Sequence, residues 1–185
     1  MVGSLRLYVA AVVAGSFACA STVHAHDDHD DRSGKEGNHV AIAVDFDYTT
    51  AVSNELDIEY GGGGAIRVGL ERDLVLVTLI PELELAYHNF GGGENHATTT
   101  SGKLGGRLRF LKILEPGIFA HAGLGHISGD DPHYGFALDA GLTLDFTLLP
   151  LIDLGLHAAW NRVFDADSLP GLSYGTYGAH VAFVF

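Results

Sequence analysis

The sequence predicts an all-β fold: an eight-stranded antiparallel up-and-down barrel that crosses a membrane with its strands. Three observations point to it. Apolar residues recur with period two from Val40 to Phe185, the segments that show this are joined by alternately short and long connections, and the chain opens on a secretory leader. A period of two belongs to a strand, whose successive side chains point to opposite faces.

The leader comes first. Arg6 precedes the apolar run Leu7 to Ala14, and small residues follow as far as Val23-His24-Ala25. One positive charge, a short apolar stretch and small residues before a cleavage point make residues 1–25 a signal peptide. The run is shorter than the ~20 residues a membrane-spanning helix needs. Ala18-Cys19-Ala20 offers a second cleavage position, but Ser16-Phe17-Ala18 lacks the aliphatic residue expected ahead of a lipoprotein cysteine. Residues 26–38, rich in His and Asp, have nothing apolar to bury and are expected to form a solvated tail. The tail's interleaved histidines and aspartates are of metal-binding type, with nothing to fix them in space. The barrel is assigned to residues 39–185.

Within the barrel the clearest strand runs from Tyr134 to Leu148. Its even positions are all apolar, and its odd positions, Gly135 to Thr147, are small or polar. Val40, Ile42, Val44, Phe46 and Tyr48 alternate with His39, Ala41, Ala43, Asp45 and Asp47. Leu56, Ile58, Tyr60, Ile66, Val68 and Leu70 share the apolar face of the next strand, opposite Asp57, Glu59, Arg67 and Glu71. Leu83, Leu85 and Tyr87 oppose Glu82, Glu84 and His88, while Leu104, Leu108 and Phe110 oppose Lys103, Arg107 and Arg109. Leu154, Leu156 and Trp160 oppose Asp153, His157 and Asn161, and Tyr177, Val181, Phe183 and Phe185 oppose His180. Gly117 to Ile127 is a strand by length, but its facing stays open, since Phe119 and Ile127 fall opposite Ile118 and Leu124.

Tight links are expected near Arg72-Asp73, Leu114-Glu115-Pro116 and Leu149-Pro150-Leu151. Longer ones are expected at Thr49–Asn54, Gly91–Gly102, Ser128–His133 and Asp165–Ser173. Short turns at one end and long polar loops at the other are the pattern of a membrane barrel, and an even strand count closes it without a free edge. A soluble barrel would turn the apolar face inward, leaving an exterior poor in lysine and rich in Gly and Ala, unlike a water-facing surface. Tyr48, Tyr60, Tyr87, Phe110, Phe136, Phe146, Trp160 and Tyr177 instead sit towards strand ends on the apolar face, where interfacial aromatics belong. Without the leader, nine basic residues face 23 acidic ones, which argues against nucleic acid as a partner.

The last strand brings in a resemblance. Tyr177, Ala179, Val181, Phe183 and Phe185, at alternate positions up to the end of the sequence, look like the terminal signature of outer-membrane barrel proteins. From about Val40 onward the chain resembles the small eight-stranded family that includes the OmpA transmembrane domain, with no periplasmic domain following. The resemblance implies an outer membrane of Gram-negative type, contact with its lipid and with the barrel insertion machinery, and a monomer. It implies no cofactor and no enzymatic activity, so the expected role is structural, adhesive or ligand-interacting through the external loops.

Candidate site residues lie on the inward face. Glu82 and Glu84 on one strand and Arg107 and Arg109 on the next predict an ion-pair network, with Glu84 near Arg107 or Arg109 if Phe90 and Lys103 flank the loop. Buried charges must be paired to be tolerated. A gated ion path through a narrow pore is the alternative reading of the same charges. His157, His180 and Asp45 fall on neighbouring strands at similar depth, a donor set of metal-ligand type, but lone inward histidines usually satisfy hydrogen bonds, and no metal site is expected. Gly125-His126-Ile127-Ser128 is similar to the His-x-Ser pair of the lipid A deacylases, with Gly129 where that family has Asn. Among Asp130, Asp131 and Asp139, no acid stands out to orient the histidine.

Overall fold

The computed structural model describes residues 38–52, 58–74, 76–92, 96–111, 113–129, 132–149, 151–164 and 171–185. The leader and all of the predicted tail but Asn38 lie outside them. Eight strands form: β1 (Asn38–Ala51), β2 (Tyr60–Asp73), β3 (Val77–Gly91), β4 (Ala97–Phe110), β5 (Leu114–Ser128), β6 (His133–Leu149), β7 (Ile152–Val163) and β8 (Leu172–Val184). Each pairs antiparallel with the next, and β8 returns to β1 to close the barrel. The seam is sealed at its end by two backbone bonds: the Val40 amide donates to the Phe185 carbonyl at 3.0 Å, and the Phe185 amide to the Val40 carbonyl at 2.9 Å. Closure satisfies the strand edges internally, as hydrocarbon requires.

The facing of the strands is inverted relative to a water-soluble protein. Leu142 is 63% exposed on the outside, whereas Asp145, on the same strand, is 1% exposed on the inside. The outer surface is a belt of Leu, Ile, Val and aromatic residues, and the inner surface holds the charges. Exposed tyrosines (Tyr48, Tyr60, Tyr87, Tyr134 and Tyr177) ring the end with the longer connections, and Phe110, Phe146, Phe183 and Phe185 ring the other. A hydroxyl-bearing ring is suited to an interface where one end is apolar and the other wet. The open question over Gly117 to Ile127 resolves on β5, where Phe119 and Ile127 point inward and Ile118 and Leu124 outward.

Several boundaries differ from the sequence-based expectation. Arg72 and Asp73 belong to β2, and Leu114-Glu115-Pro116 to β5, so β2 ends at Asp73 with β3 beginning at Val77, and β4 ends at Phe110 with β5 beginning at Leu114. Glu115 is charged but points inward, where an arginine pairs with it; polarity alone made it read as a turn. The expected Gly91–Gly102 loop contracts to residues 92–96, because the threonine-rich stretch after Ala97 is strand. Ile58, expected on the apolar outer face, is fully buried in a cluster at the loop end of the interior. It precedes β2, where strand alternation no longer applies.

Two of the short turns place leucine in the left-handed region, Leu111 at φ 70° and Leu151 at φ 69°. That conformation costs an L-residue about 1–2 kcal/mol. Leu111→Gly is therefore expected to raise the stability in urea by roughly 0.5–1 kcal/mol, after its greater unfolded-state entropy is allowed for. A lower stability would show that the leucine side chain contributes more than the backbone conformation costs.

Candidate functional site: the barrel interior

An eight-stranded barrel is just wide enough for side chains to fill, and here they are charged. Nearest the short turns, Arg109 sits among Glu71, Glu115 (3.2 Å), Asp153 (3.1 Å) and Asp145 (3.8 Å). Above it Arg67 forks onto both oxygens of Asp45 at 2.6 and 2.7 Å and lies 3.4 Å from Glu82. Arg107 lies 3.4 Å from Glu82 and 3.7 Å from Asp145, with its guanidinium 5.3 Å from the centre of the Phe119 ring. In the next layer Lys103 binds Asp139 and Glu84, the latter at 2.7 Å. His121 bridges Asp139 (2.7 Å) and Glu82 (2.8 Å). Asp47 then accepts from His88 (2.9 Å) and His157 (2.6 Å). Over all of these lies an apolar cap containing Ile58, Phe90, Ile127, Val163, Leu172 and Tyr174. The Tyr174 hydroxyl reaches down to His88 Nδ1 at 3.2 Å.

Four of the bulky interior imidazoles fit because each faces a glycine across a strand ladder. The pairs are His88 with Gly63, His121 with Gly105, His157 with Gly178 and His180 with Gly155. A Cβ at Gly155 would stand 2.4 Å from the His180 ring and 2.2 Å from Asp145 Oδ1, and one at Gly105 would stand 2.4 Å from the His121 ring. Real Cβ contacts are not that short, so any side chain at these positions would displace the ring. The packing of His157 against His180, with ring centres 5.8 Å apart, depends on the same space.

Glu82, Glu84, Arg107 and Arg109 all lie in this interior, each buried to within 7% exposure. Their partners differ from those expected. Phe90 pairs with Ala97, not with Lys103, so the whole β3–β4 register moves and Glu84 stands opposite Lys103. Arg107 consequently meets Glu82, and Arg109 reaches the acids nearest the turns. Arg67, Asp45, Glu71, Asp139, Asp145 and Asp153 complete the network. Each lay on a polar strand face, but nothing in a linear reading told which would meet which. Tyr177, Phe183 and Phe185 are exposed on the outer face of the barrel, and Val181 is half-buried on the same face.

Asp45, His157 and His180, where no metal site was expected, nevertheless converge: one ligand atom from each lies within 4.8 Å of the others. Glu84, His121 and Asp139 form a second such group. Cavities remain among the described interior residues, two of them near these groups. One is lined by Asp45, Asp47, His88, His157 and Asn161, the other by Glu71, Asp145, Asp153 and His180, and Arg67 and Arg107 line both. The guanidinium pair therefore stands between them. His126 and Ser128 are half-buried on the outward face of β5, where the His126 ring lies 4.4 Å from that of Tyr134. Asp139, the one described acid considered as their partner, is inside and bound to His121 and Lys103.

This is the architecture of the small outer-membrane barrels, and solved structures agree. Neisserial surface protein A aligns over 80% of this chain and 97% of its own, at 12% identity and a TM-score of 0.58. The outer-membrane enzyme PagL aligns over 76% of this chain and 98% of its own, at 17% identity and a TM-score of 0.50. Ail, the attachment invasion locus protein of Yersinia pestis, covers 82% of this chain and 100% of its own, at 17% identity and a TM-score of 0.48. The first two likenesses establish a shared fold, an eight-stranded closed barrel. No protein-family model and no curated protein matches the sequence.

Proposed function

We propose that the protein is a non-conducting, non-enzymatic barrel of the outer membrane that acts through the loops at its tyrosine-ringed end, in envelope structure, adhesion or ligand contact. The observation that carries this reading is the filled interior. From Arg109 at the turn end to Tyr174 at the loop end, successive layers of paired charge and then an apolar cap occupy the cross-section. A conducting path needs a continuous wet lumen with sites that ions can both enter and leave. The outward apolar belt and the aromatic rings support the membrane location, and the alternating Tyr177-to-Phe185 face is the feature the insertion machinery is proposed to read.

The test joins planar-bilayer conductance to surface labelling. Purified protein is expected to give no steady current, and a cysteine at Asn95 is expected to react with an impermeant reagent on whole cells while one at Asp73 does not. Sustained current would replace this reading with the pore. The deacylase reading is favoured by His126 and Ser128 sharing the outward face, but Asp139 is committed elsewhere. Lipid A is expected to stay intact with both the unmodified protein and Ser128→Ala; deacylation lost only in the variant would make the protein an esterase.

A further inference from the structure

The interior histidines are not equivalent. His121 spends both nitrogens on carboxylates, and His88 spends one on Asp47 and the other on the Tyr174 hydroxyl. His157 and His180 spend only Nε2, on Asp47 at 2.6 Å and on Asp145 at 2.8 Å. The Nδ1 atoms of both are buried and have no hydrogen-bond partner among the described residues. Two orphaned ring nitrogens on packed imidazoles are costly to keep, because a buried polar group without a partner forfeits its hydration.

We propose that His157, His180 and Asp45 hold one divalent transition-metal ion of the zinc type inside the barrel. A carboxylate only accepts, so an Nε2 that bonds one carries the proton, and in the neutral ring Nδ1 keeps its lone pair. Both histidines are thus set in the tautomer that ligates through Nδ1, each oriented by a carboxylate behind it, which is how ligating histidines are usually supported. Asp45 Oδ1 lies 4.0 Å from His180 Nδ1. Arg67 takes one lone pair from each Asp45 oxygen, and a carboxylate has about four acceptor sites, so others remain for an ion. Two imidazoles and a carboxylate suit zinc and its neighbours, and tetrahedral bonds near 2.1 Å would draw the ligand atoms to about 3.4 Å apart. From their present limit of 4.8 Å that is a movement of side-chain size, with cavity space on either side.

The charge inside the barrel favours the same conclusion. Its nine buried carboxylates outnumber its four fixed cations, Arg67, Lys103, Arg107 and Arg109, and still exceed the cations by four once His121, which donates from both nitrogens to carboxylates, is counted with them. The second acid–histidine group already holds a cation, since the Lys103 ammonium binds both Glu84 and Asp139. In the group of His157, His180 and Asp45 the bound cation is the Arg67 guanidinium on Asp45 alone, and among the described residues no lysine reaches either histidine.

Cobalt(II) titration of the full folded protein in detergent tests this, with His26→Asn/His29→Asn as the background that removes two histidines of the amino-terminal stretch. One Co2+ per chain should bind with the intense visible absorption of a low-coordinate site and resist stripping by chelator. His157→Asn or His180→Asn should abolish that signal, and Asp47→Asn should weaken affinity by about 10–100-fold, the usual effect of losing an orienting partner. Equal Co2+ binding in the histidine variants, or binding that disappears with His26 and His29, overturns the proposal. Should those variants fail to fold, X-ray absorption of the zinc-loaded background protein decides. A shell with two imidazoles supports the site, and a shell without them rejects it.

Discussion

Lys103→Met is expected to be among the most damaging single substitutions in this interior, lowering unfolding stability by about 3–5 kcal/mol. Lys103 is 3% exposed, and its ammonium is the shared partner of Glu84 and Asp139. Methionine fills much of its volume but leaves two carboxylates with His121 as their one shared partner, and removing one member of a buried pair strands the charge of the other. Adding Glu84→Gln should return part of the loss, since contacting residues are coupled and their effects do not add. Arg107→Ala should show the same coupling with Glu82→Gln, its direct partner, and less with Glu84→Gln. Urea titrations of the single and double variants in lipid vesicles measure both. A Lys103→Met protein as stable as the unmodified one would mean that water reaches the pair.

The second large effect lies on the other side of the wall. Leu142, at mid-strand on β6, stands opposite Ile118 on β5 and Ala158 on β7 in the outer belt. Leu142→Arg is expected to cost about 2–4 kcal/mol in a bilayer, the range for a cation near the midplane of a membrane barrel. The same substitution on a water-facing surface would fall within about 0.5 kcal/mol. Refolding yield and unfolding stability in vesicles separate the two. A neutral result would falsify the assignment of the apolar face to lipid.

Much of the fold was legible because lipid imposes a simple rule on one face. Tyr134 to Leu148 reads as a strand with no knowledge of its neighbours, since every second residue must satisfy hydrocarbon. The interior obeys no such rule. Glu84 and Lys103 are each visible as inward and charged, but their meeting depends on register, and register depends on where the Gly91–Gly102 stretch turns back. The threonines at 98–100 read as loop by composition and are strand by pairing. Glu115 shows the same gap: on its own it marks a turn, and only Arg109 on the neighbouring strand makes it an interior residue. Asp45, His157 and His180 could be grouped by depth in the sequence. The spare Nδ1 atoms that distinguish two of these histidines from His88 and His121 could not.

The pairing of His88, His121, His157 and His180 with glycines bears on how the barrel finds its alignment during assembly. A slip of one residue between strands exchanges inner and outer faces, and lipid rejects it. A slip of two keeps every apolar residue outside, so the membrane is blind to it. The imidazole–glycine complementarity is not. Sliding β8 by two residues along β7 would set His157 directly against His180 and leave the hollow at Gly155 facing Ala182. Repeated at the β2–β3 and β4–β5 ladders, this complementarity works as a proofreading key for even-numbered slips, written on the face that never touches lipid.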